Sequence, residues 1–342
     1  MGSVKEVQVL KNAEKKKEGE GEFVFSDRYS VFDWGEMPDH IDKKGAALCT
    51  LSAYFFDLLE KKGIKTHFLG LIEDGRPKKF AELKSYSNKM RVKLVRVIKP
   101  EYDREKNKYD YSNYKGEKDN YLVPLEVIYR NKLGEGSSVF KRIKSGSITY
   151  RDLGLDHDPK PGDVLAKPII DVSTKLEHID RYLGWEEAGA ISGQAGEGIK
   201  KIKDLTLQID GVITEQTKKH GIENEDGKFE FAVDKDGNTM LIDVLGTPDE
   251  CRFSYNGFHI SKEFARRWYR KTEWFNAVEK AKKERGSDWK QFVKAKPEPL
   301  PAELRTLLSQ MYLAVTNEIT GRKFFDAPAL PKIIEELKKY DT

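Results

Sequence analysis

The chain has 342 residues, enough for one large domain or for two or three lobes that each bury a core. Hydrophobic residues make up 38% and charged residues 35%, which is typical of a soluble globular protein with an ionic surface. The net charge is only +4 and both signs are mixed along most of the sequence, which argues against a nucleic-acid-binding stripe. Two cysteines are too few for a disulfide framework or a zinc site. No apolar run has the length of a signal segment or a membrane span, so we expect a cytoplasmic protein without a membrane partner.

The N-terminal part of the sequence predicts short strands and one long helix. Strands are expected between residues 4 and 33, on either side of the charged segment KNAEKKKEGEGE. A helix is predicted from residue 45 to residue 62, because apolar side chains recur at the helical period and Gly63 supplies a stop. A strand is predicted from 89 to 98, and the polar stretch 101 to 120 is typical of a loop or an insertion.

The rest of the chain predicts a second lobe that ends in helices. The strand-rich segment YLVPLEVIYR is interrupted by Pro124, and we expect a small N-terminal lobe of residues 1–123 and a larger lobe of residues 124–342. Apolar stripes predict helices over 197–220 and 303–319. A last helix is expected near Pro331, since proline is favoured at the first helical position.

The segment KFEFAVDKDGNTMLIDV predicts a β-hairpin that carries two carboxylates. Asp236-Gly237 is a strong signal for a two-residue turn, and that turn would set Phe231 opposite Ile242 on an apolar face. The same register would set Glu230 directly opposite Asp243 on the other face, where like charges repel. A Mg²⁺ ion would reverse that sign, because it commonly bridges one or two carboxylates to nucleotide phosphates. From the pattern alone, a metal site and two carboxylates in water are equally supported.

Five motifs in order resemble those of the phosphoribosylaminoimidazole-succinocarboxamide synthase (SAICAR synthetase) family. The segment SDRYSVFD is similar to the family's S-D-R-I-S-A-F-D, and KKGAALCTLSAYFFDLLEKKGIKTHF is similar to its G-K-G…I-x-T/N-H-F. VPLEVIYRNKLGEGSSVFKR resembles V-P-L-E-V-V-V-R-N…G-S…K-R, and KPIIDVSTKLEHID resembles E-P-I-F…S-T-K…H-D. The run DGKFEFAV…MLIDVLGTPDECRF resembles K-L-E-F-G…D-E…S/T-P-D-x-S-R.

The resemblance implies a fold, a reaction and a set of ligands. The fold would be α+β, two-lobed and kinase-like or ATP-grasp-like, with mostly antiparallel sheets and with the small lobe covering ATP. The reaction would be an ATP-dependent ligation of L-aspartate to carboxyaminoimidazole ribotide, through an acyl phosphate, in purine biosynthesis. Its partners would be these small molecules with Mg²⁺, and a homo-oligomer is expected.

The resemblance also assigns site residues by position in the motifs. Asp226, Lys228 and Lys175 match catalytic or nucleotide-contacting residues, with Glu126 and Lys175 at ATP. Glu230 and Asp243 match the metal carboxylates, which strengthens the metal interpretation of the hairpin. The family's ribotide-binding positions correspond to Arg130, Ser137 and Arg252, with Arg270 as a further candidate for which an ordinary ion pair is favoured. Arginine suits this role because its planar group binds carboxylate and phosphate with two hydrogen bonds.

Some positions depart from the family pattern or fit it ambiguously. The family's N-terminal turn Y-E-G-K-x-K is not legible, and Lys11 or Lys15 would supply the ATP-contacting lysine, with Lys11 preferred. Ser137 and Ser138 are hard to separate in the loop LGEGSS, and Cys251 replaces the small hydroxyl residue of the signature.

Two other functions remain open from sequence. A small-molecule kinase of the inositol-phosphate type would keep the metal pair and the lysines but would not use aspartate. A non-enzymatic binding module would account for the ionic surface but not for the paired carboxylates.

Overall fold

The computed structural model describes residues 4–106 and 108–341, which form two antiparallel sheets flanked by helices. The first sheet has five strands in the order β1-β2-β5-β3-β4. Its strands are β1 Lys5–Lys11, β2 Gly19–Phe25, β3 Phe68–Glu73, β4 Arg76–Lys78 and β5 Lys89–Leu94. All of its strand pairs are antiparallel, and β1 lies at one edge.

The second sheet has six strands and holds most of the polar residues singled out by the sequence. Its main path is β13-β12-β10-β8-β9, and β11 pairs with the far end of β10. Its strands are β8 Tyr121–Lys132, β9 Val164–Thr174, β10 Ile222–Val233, β11 Thr239–Ile242, β12 Cys251–Tyr255 and β13 Phe258–His259. A separate small hairpin consists of β6 Glu101–Asp103 and β7 Lys108–Asp110.

Eight α-helices complete the described part of the chain. Their bounds are α1 Lys44–Lys61, α2 Ser138–Lys144, α3 Trp185–Ser192, α4 Glu197–Lys218, α5 Lys262–Tyr269, α6 Glu273–Arg285, α7 Ala302–Thr320 and α8 Leu330–Leu337. α1 is buried over most of its length because it packs against the first sheet and against α7. None of the helices in the described ranges is both long and apolar enough to cross a bilayer.

The two sheets are joined by short stretches of parallel pairing. The amide of His67 donates to Leu241 O at 3.0 Å, and the amide of Leu241 donates to Lys65 O at 2.9 Å. On the other side the amide of Leu122 donates to Arg96 O at 2.8 Å. These links hold the end of the first sheet over β8 and β11, and a cleft lies between the two sheets.

Several sequence predictions can be compared with these bounds. The predicted α+β class with antiparallel sheets is confirmed. The helices predicted over 45–62, 197–220 and 303–319 are found as α1, α4 and α7, and α8 begins one residue before Pro331. The stretch 101–120 contains the small hairpin rather than an open loop. The lobe boundary at residues 123 and 124 falls inside β8 and stays a proposal.

Candidate active site

A cleft of about 1270 Å³ runs between the sheets and contains almost all the predicted site residues. Its walls come from β1 and the segment after β5 on one side, and from β8, β9, β10 and the residue after β11 on the other. α2, α5 and α6 close the far end. This volume exceeds the range of about 300–1,000 Å³ that is usual for one drug-sized ligand. The cleft is therefore large enough for more than one substrate.

Part of the cleft wall is apolar, and we refer to this part as the apolar slot. Val7 of β1 and Val97, which follows β5, line it on the side of the first sheet and are half-exposed, at 50% and 54%. Leu122 and Ile242 line it from the second sheet and belong to a small apolar cluster with Ala232 and Met240. Apolar walls that approach from two sides suit a planar ring, such as the base of a nucleotide.

One face of β10 organises the polar residues of the cleft. Asp226, Lys228 and Glu230 alternate along the strand, so their side chains point to the same side. Each is paired with a residue of β8: Asp226 with Arg130, Lys228 with Ile128, and Glu230 with Glu126. At about 3.3 Å per residue these three side chains span roughly 13 Å. Gly227 follows Asp226 and faces the opposite side of the sheet. A Cβ atom there would approach the Tyr129 hydroxyl oxygen to 2.5 Å, so the position has no room for a side chain.

The hairpin of β10 and β11 exists, but its predicted register is wrong by one residue. Glu230 pairs with Ile242, and not with Asp243. The loop has three residues rather than two, because Asp234 pairs with Asn238 and Gly237 takes a positive φ of 82°. The Asp234 carboxylate fixes this loop by accepting hydrogen bonds from the amides of Asp236 and Asn238, at 2.9 and 2.7 Å. The Asp-Gly signal thus located the turn but not its length.

The two carboxylates nevertheless meet in the cleft. β11 ends at Ile242, and Asp243 leaves the strand in a left-handed conformation with φ 71°. Both side chains line the cleft, and burial followed by the charge of Asp243 raises the pKa of Glu230. Burial alone would also raise the pKa of Asp243, but the Lys5 and Lys175 ammonium groups outweigh it and lower that pKa.

Each carboxylate at this end of the cleft is held by a lysine. Lys175 forms an ion pair with Glu230 and also lies 3.8 Å from Glu126. Lys228 donates to Glu126 at 2.9 Å, and the neighbouring carboxylates outweigh burial to hold its pKa well above the ordinary value. Lys5 forms an ion pair with Asp243. We refer to Lys5, Lys175, Lys228, Glu126, Glu230 and Asp243 as the lysine end of the cleft.

Lys5 lies on the cleft wall, whereas Lys11, which the sequence favoured as the ATP-contacting lysine, does not. Lys5 lines the cleft, with its ammonium 5.0 Å from the centre of the Phe23 ring. Lys11 lies at the end of β1, is exposed and does not line the cleft. Lys15 is also exposed and pairs with Glu117 at 3.5 Å. The signal was present in Gly2-Ser3-Val4-Lys5, which has the spacing of the family's G-K-x-K with serine in place of the first lysine.

His67 fixes the backbone that carries Asp243. It is buried, with 2% exposure, between the rings of Phe23 and Phe56. Its Nε2 lies 3.0 Å from Asp243 O, and burial lowers its pKa to about 4. A neutral ring with its proton on Nε2 donates to that carbonyl, so the positive-φ residue is held from the first sheet.

Arginines hold the other end of the same β10 face. Arg252 forms an ion pair with Asp226, and Arg130 Nη1 lies 3.7 Å from the same carboxylate. Arg130 is buried and donates to Ser137 Oγ at 3.3 Å and to Ser138 Oγ at 3.1 Å. Both serines of the ambiguous pair therefore contact the arginine.

Arg270 also lies on the cleft wall, and it forms an ion pair there, as the sequence analysis favoured. Its Nη1 donates to Glu263 at 2.6 Å, and Glu263 also lies 3.6 Å from Arg252 Nε. A Cβ atom at Gly136 would lie 3.1 Å from Arg270 Nη2, so the loop before Ser137 passes close to this guanidinium. We refer to Arg130, Arg252, Arg270, Asp226, Glu263, Ser137 and Ser138 as the arginine end.

Sequence reasoning missed a carboxylate on the cleft wall, Asp180. Asp180 is exposed, but its carboxyl group faces the cleft, where desolvation and then the charge of Glu126 raise its pKa to about 6. Its signal was the last acidic residue of the motif KPIIDVSTKLEHID.

The chemistry of the lysine end suits a cation that also binds phosphate. The described residues contain no group of three or more His, Cys, Asp or Glu side chains arranged to hold a metal ion. Glu230 is buried and Asp243 is partly buried, and both present carboxylate oxygens to the cleft. Mg²⁺ commonly takes one or two carboxylates from a protein when nucleotide phosphates complete its shell, so this pair fits such an ion.

Comparison with known proteins gives the same family from sequence and from structure. The family model described as SAICAR synthetase matches residues 4–282. A protein of Archaeoglobus fulgidus, named as a phosphoribosylaminoimidazole-succinocarboxamide synthase, is 51% identical over 99% of both chains. The phosphoribosylaminoimidazole-succinocarboxamide synthase of Thermoplasma acidophilum is 32% identical over 88% of this chain and 93% of its own.

Solved structures share the fold at lower identity. The SAICAR synthase of Saccharomyces cerevisiae, solved with SAICAR, aligns with a TM-score of 0.61 and 20% identity, over 93% of this chain and 96% of its own. A SAICAR synthetase in complex with ADP aligns with a TM-score of 0.57 and 24% identity, over 87% of this chain and 99% of its own. The chain belongs to the SAICAR synthetase family, the ATP-dependent ligases that join aspartate to a carboxylated aminoimidazole ribotide in purine biosynthesis.

Proposed function

We propose that the lysine end binds Mg²⁺–ATP, that the arginine end binds the ribotide, and that the two meet at Lys228. The observation that carries this proposal is the single face of β10, on which Asp226, Lys228 and Glu230 follow one another. If the phosphate donor binds at one end and the carboxylate acceptor at the other, their reacting atoms would meet over Lys228. Positioning of this kind is the main contribution a protein makes to phosphoryl transfer.

ATP binding is supported by the apolar slot beside the lysine end. The base would lie between Val7 and Val97 above and Leu122 and Ile242 below. Its phosphates would then extend toward Lys5 and Lys175, whose flexible ammonium groups suit phosphate oxygens. A protein of the same fold was solved in complex with ADP.

Glu230 and Asp243 would hold Mg²⁺, which supplies charge neutralisation at the transferred phosphate. Each carboxylate is paired with a lysine in this structure. Once a cation balances the carboxylates, Lys175 and Lys5 are free to turn their ammonium groups toward phosphate oxygens. Without ligand, Lys175 and Lys5 balance the charge of the carboxylates. With Mg²⁺–ATP bound, the same lysines would contact the phosphate oxygens.

The arginine end would hold the ribotide through its phosphate and its carboxylate. Arg130 and Arg252 are buried or half-buried, and their guanidinium groups are fixed by Asp226. The Ser137 and Ser138 hydroxyls, both on Arg130, complete a set of donors for a phosphate group.

The reaction would proceed in two steps. A carboxylate oxygen of the ribotide attacks the γ-phosphorus of ATP, a P–O bond forms, and the bond from that phosphorus to the β,γ-bridging oxygen breaks to release ADP. The neutral aspartate amine then attacks the acyl carbon, the C–N bond forms and the C–O bond to phosphate breaks. One amine proton passes to a base, and the other stays as the amide N–H. Lys228 stays protonated because of its raised pKa, so its role is to stabilise the negative charge that develops at the reacting oxygens.

A coupled assay tests the proposal against the kinase alternative. ADP release should require the ribotide, and an amide product should require aspartate as well. A stable phosphorylated product without amide formation in the presence of aspartate would favour a small-molecule kinase. The homo-oligomer stays a prediction, which sedimentation of the purified protein would test.

A further inference from the structure

The hairpin of β6 and β7 has no part in the proposed function, but it packs against a loop that does. This loop consists of residues 175–180, and we refer to it as the Lys175 loop. Its two end residues, Lys175 and Asp180, line the cleft. The amide of Thr174 donates to Arg181 O at 2.9 Å and closes the base of the loop. A contact at the middle of so short a loop therefore bears on both of its ends.

Tyrosines of the hairpin and of the residues just after it hold the middle of the Lys175 loop. The Tyr109 hydroxyl accepts a hydrogen bond from the amide of His178 at 2.9 Å. The rings of Tyr102 and Tyr109 each lie 5.8 Å from the imidazole ring of His178. Tyr111 Oη donates to Glu177 Oε1 at 3.1 Å. Burial, and then the charge of Glu177, raise the pKa of Tyr111, so its hydroxyl stays a donor.

The chain on both sides of the hairpin is anchored, so the hairpin can act as a support for the loop. Tyr114 is fully buried, and its hydroxyl donates to Ile98 O. The Tyr114 ring also lies 5.8 Å from the ring of Tyr121, the first residue of β8. Arg96 Nη2 pairs with Glu117 at 2.6 Å. These contacts tie the hairpin to the strands that flank the cleft.

The Lys175 loop lies between the hairpin and the place proposed for ATP. On the cleft side, Leu176 packs against the apolar cluster that lines the slot. Lys175 forms its ion pair with Glu230 on the same side. Ile179, near the end of the loop, is 56% exposed. This part of the loop is therefore not packed into a core, and its position depends on the hydrogen bonds from the hairpin side.

We infer that Tyr109 and Tyr111 are positioning residues for ATP, which act through the Lys175 loop. The inference rests on the proposed function, in which Lys175 binds the phosphates of ATP. The two hydroxyl groups restrict the loop before the nucleotide arrives, so less conformational freedom is lost on binding. The arginine end shares no residue with the loop, so the binding of the ribotide should not depend on these hydroxyls.

Titration of Mg²⁺–ATP into the double variant Tyr109→Phe/Tyr111→Phe tests this inference. Both rings stay, and only the hydroxyl groups that hold the loop are lost. The Kd for Mg²⁺–ATP should rise about three- to tenfold, while the Kd for the ribotide stays within about twofold of wild type. The matched control is Tyr86→Phe, because Tyr86 stacks on Phe325 and does not line the cleft.

A second background shows whether the hydroxyls act through Lys175. In Lys175→Gln, the same pair of changes should alter the Kd for Mg²⁺–ATP by less than about twofold, since the effects of coupled residues are not additive. The same rise with and without Lys175 would overturn the inference. An unchanged Kd in the double variant would also overturn it, as would an equal loss of ribotide affinity, which would indicate general support of the fold.

The failure of the proposed function would look different. If wild type itself does not bind Mg²⁺–ATP, the proposed function fails first. Melting curves check the folding of each variant. If the double variant does not fold, the single variants Tyr109→Phe and Tyr111→Phe decide through the same two Kd values, and unchanged ATP affinity in both would overturn the inference.

Discussion

The two ends of the cleft neutralise their carboxylates with different cations. At the lysine end Glu230, Asp243 and Glu126 are held by Lys175, Lys5 and Lys228. At the arginine end Asp226 and Glu263 are held by Arg252, Arg130 and Arg270. The two ends are joined by one face of β10, which carries Asp226 at the arginine end and Lys228 and Glu230 at the lysine end.

The difference follows from what each cation can do when a ligand arrives. A lysine ammonium is a compact charge on a flexible stem, so it can leave a carboxylate and follow a phosphate. A guanidinium is planar and rigid, and it can keep one carboxylate while presenting its remaining donors to a substrate. The lysine end is therefore suited to exchanging its partners when Mg²⁺–ATP binds, and the arginine end to holding a fixed geometry.

The largest effect is expected at the two carboxylates of the lysine end. Glu230→Gln and Asp243→Asn should each lower kcat/KM by about a hundredfold to a thousandfold, because each removes charge stabilisation at the phosphate. Both variants should lose most of the thermal shift that Mg²⁺–ATP gives wild type. The control is Glu223→Gln, on the same strand but paired with Lys132 outside the cleft. A normal ligand shift in both variants would contradict the metal assignment.

Glu230→Gln and Asp243→Asn should also differ in melting temperature when no ligand is bound. Burial and Asp243 raise the pKa of Glu230, so its ionised form costs stability and Glu230→Gln should leave the melting temperature unchanged or higher. Lys5 and Lys175 stabilise the ionised form of Asp243, so Asp243→Asn should lower the melting temperature. Equal shifts in the two variants would mean that the lysines do not distinguish the carboxylates.

The stability contributed by His67 should depend on pH. Its folded pKa of about 4 lies below the ordinary 6.5, so the unfolded chain binds the proton first as the pH falls. Stability should be lost between pH 6.5 and pH 4, by about 3 kcal/mol, because a pKa difference of one corresponds to about 1.4 kcal/mol. Urea unfolding of wild type and His67→Gln should show the advantage of wild type shrinking by about this amount from pH 7 to pH 4. A constant difference would contradict a neutral His67.

Replacing an arginine by lysine at the arginine end should weaken the binding of the ribotide. Arg130→Lys and Arg252→Lys keep the charge but lose the second hydrogen bond, so ribotide affinity should fall more than tenfold, about 1.4 kcal/mol. ATP affinity should change little. Arg267→Lys is the matched control, since Arg267 lies outside the cleft. Unchanged ribotide affinity in calorimetric titrations of both variants would remove these arginines from the site.

A smaller effect separates the two candidate lysines of β1. Lys5→Gln should raise the KM for ATP severalfold, because it removes a charge that pairs with Asp243 beside the phosphates. Lys11→Gln should leave that KM unchanged, because Lys11 is exposed and does not line the cleft. The reverse result would restore Lys11 to the nucleotide site.

The sequence predicted those features that depend on local pattern. The apolar periods of α1 and α7 gave their bounds to within one residue or so. The Asp-Gly turn was located, but the loop length depends on the Asp234 carboxylate accepting two amides, which the dipeptide alone does not encode. Glu230 and Asp243 both reach the cleft although the predicted register was wrong, because Asp243 leaves the strand with a positive φ.

Oxygen labelling of the ribotide carboxylate tests the central claim most directly. With ¹⁸O in both carboxylate oxygens, one labelled oxygen should appear in inorganic phosphate and the other should remain in the amide carbonyl. Release of labelled phosphate should require aspartate, because the amine displaces the phosphate that Lys228 and the two ends of the cleft have positioned. Unlabelled phosphate, or a stable phosphorylated ribotide with no amide formed in the presence of aspartate, would contradict ligation through an acyl phosphate in this cleft.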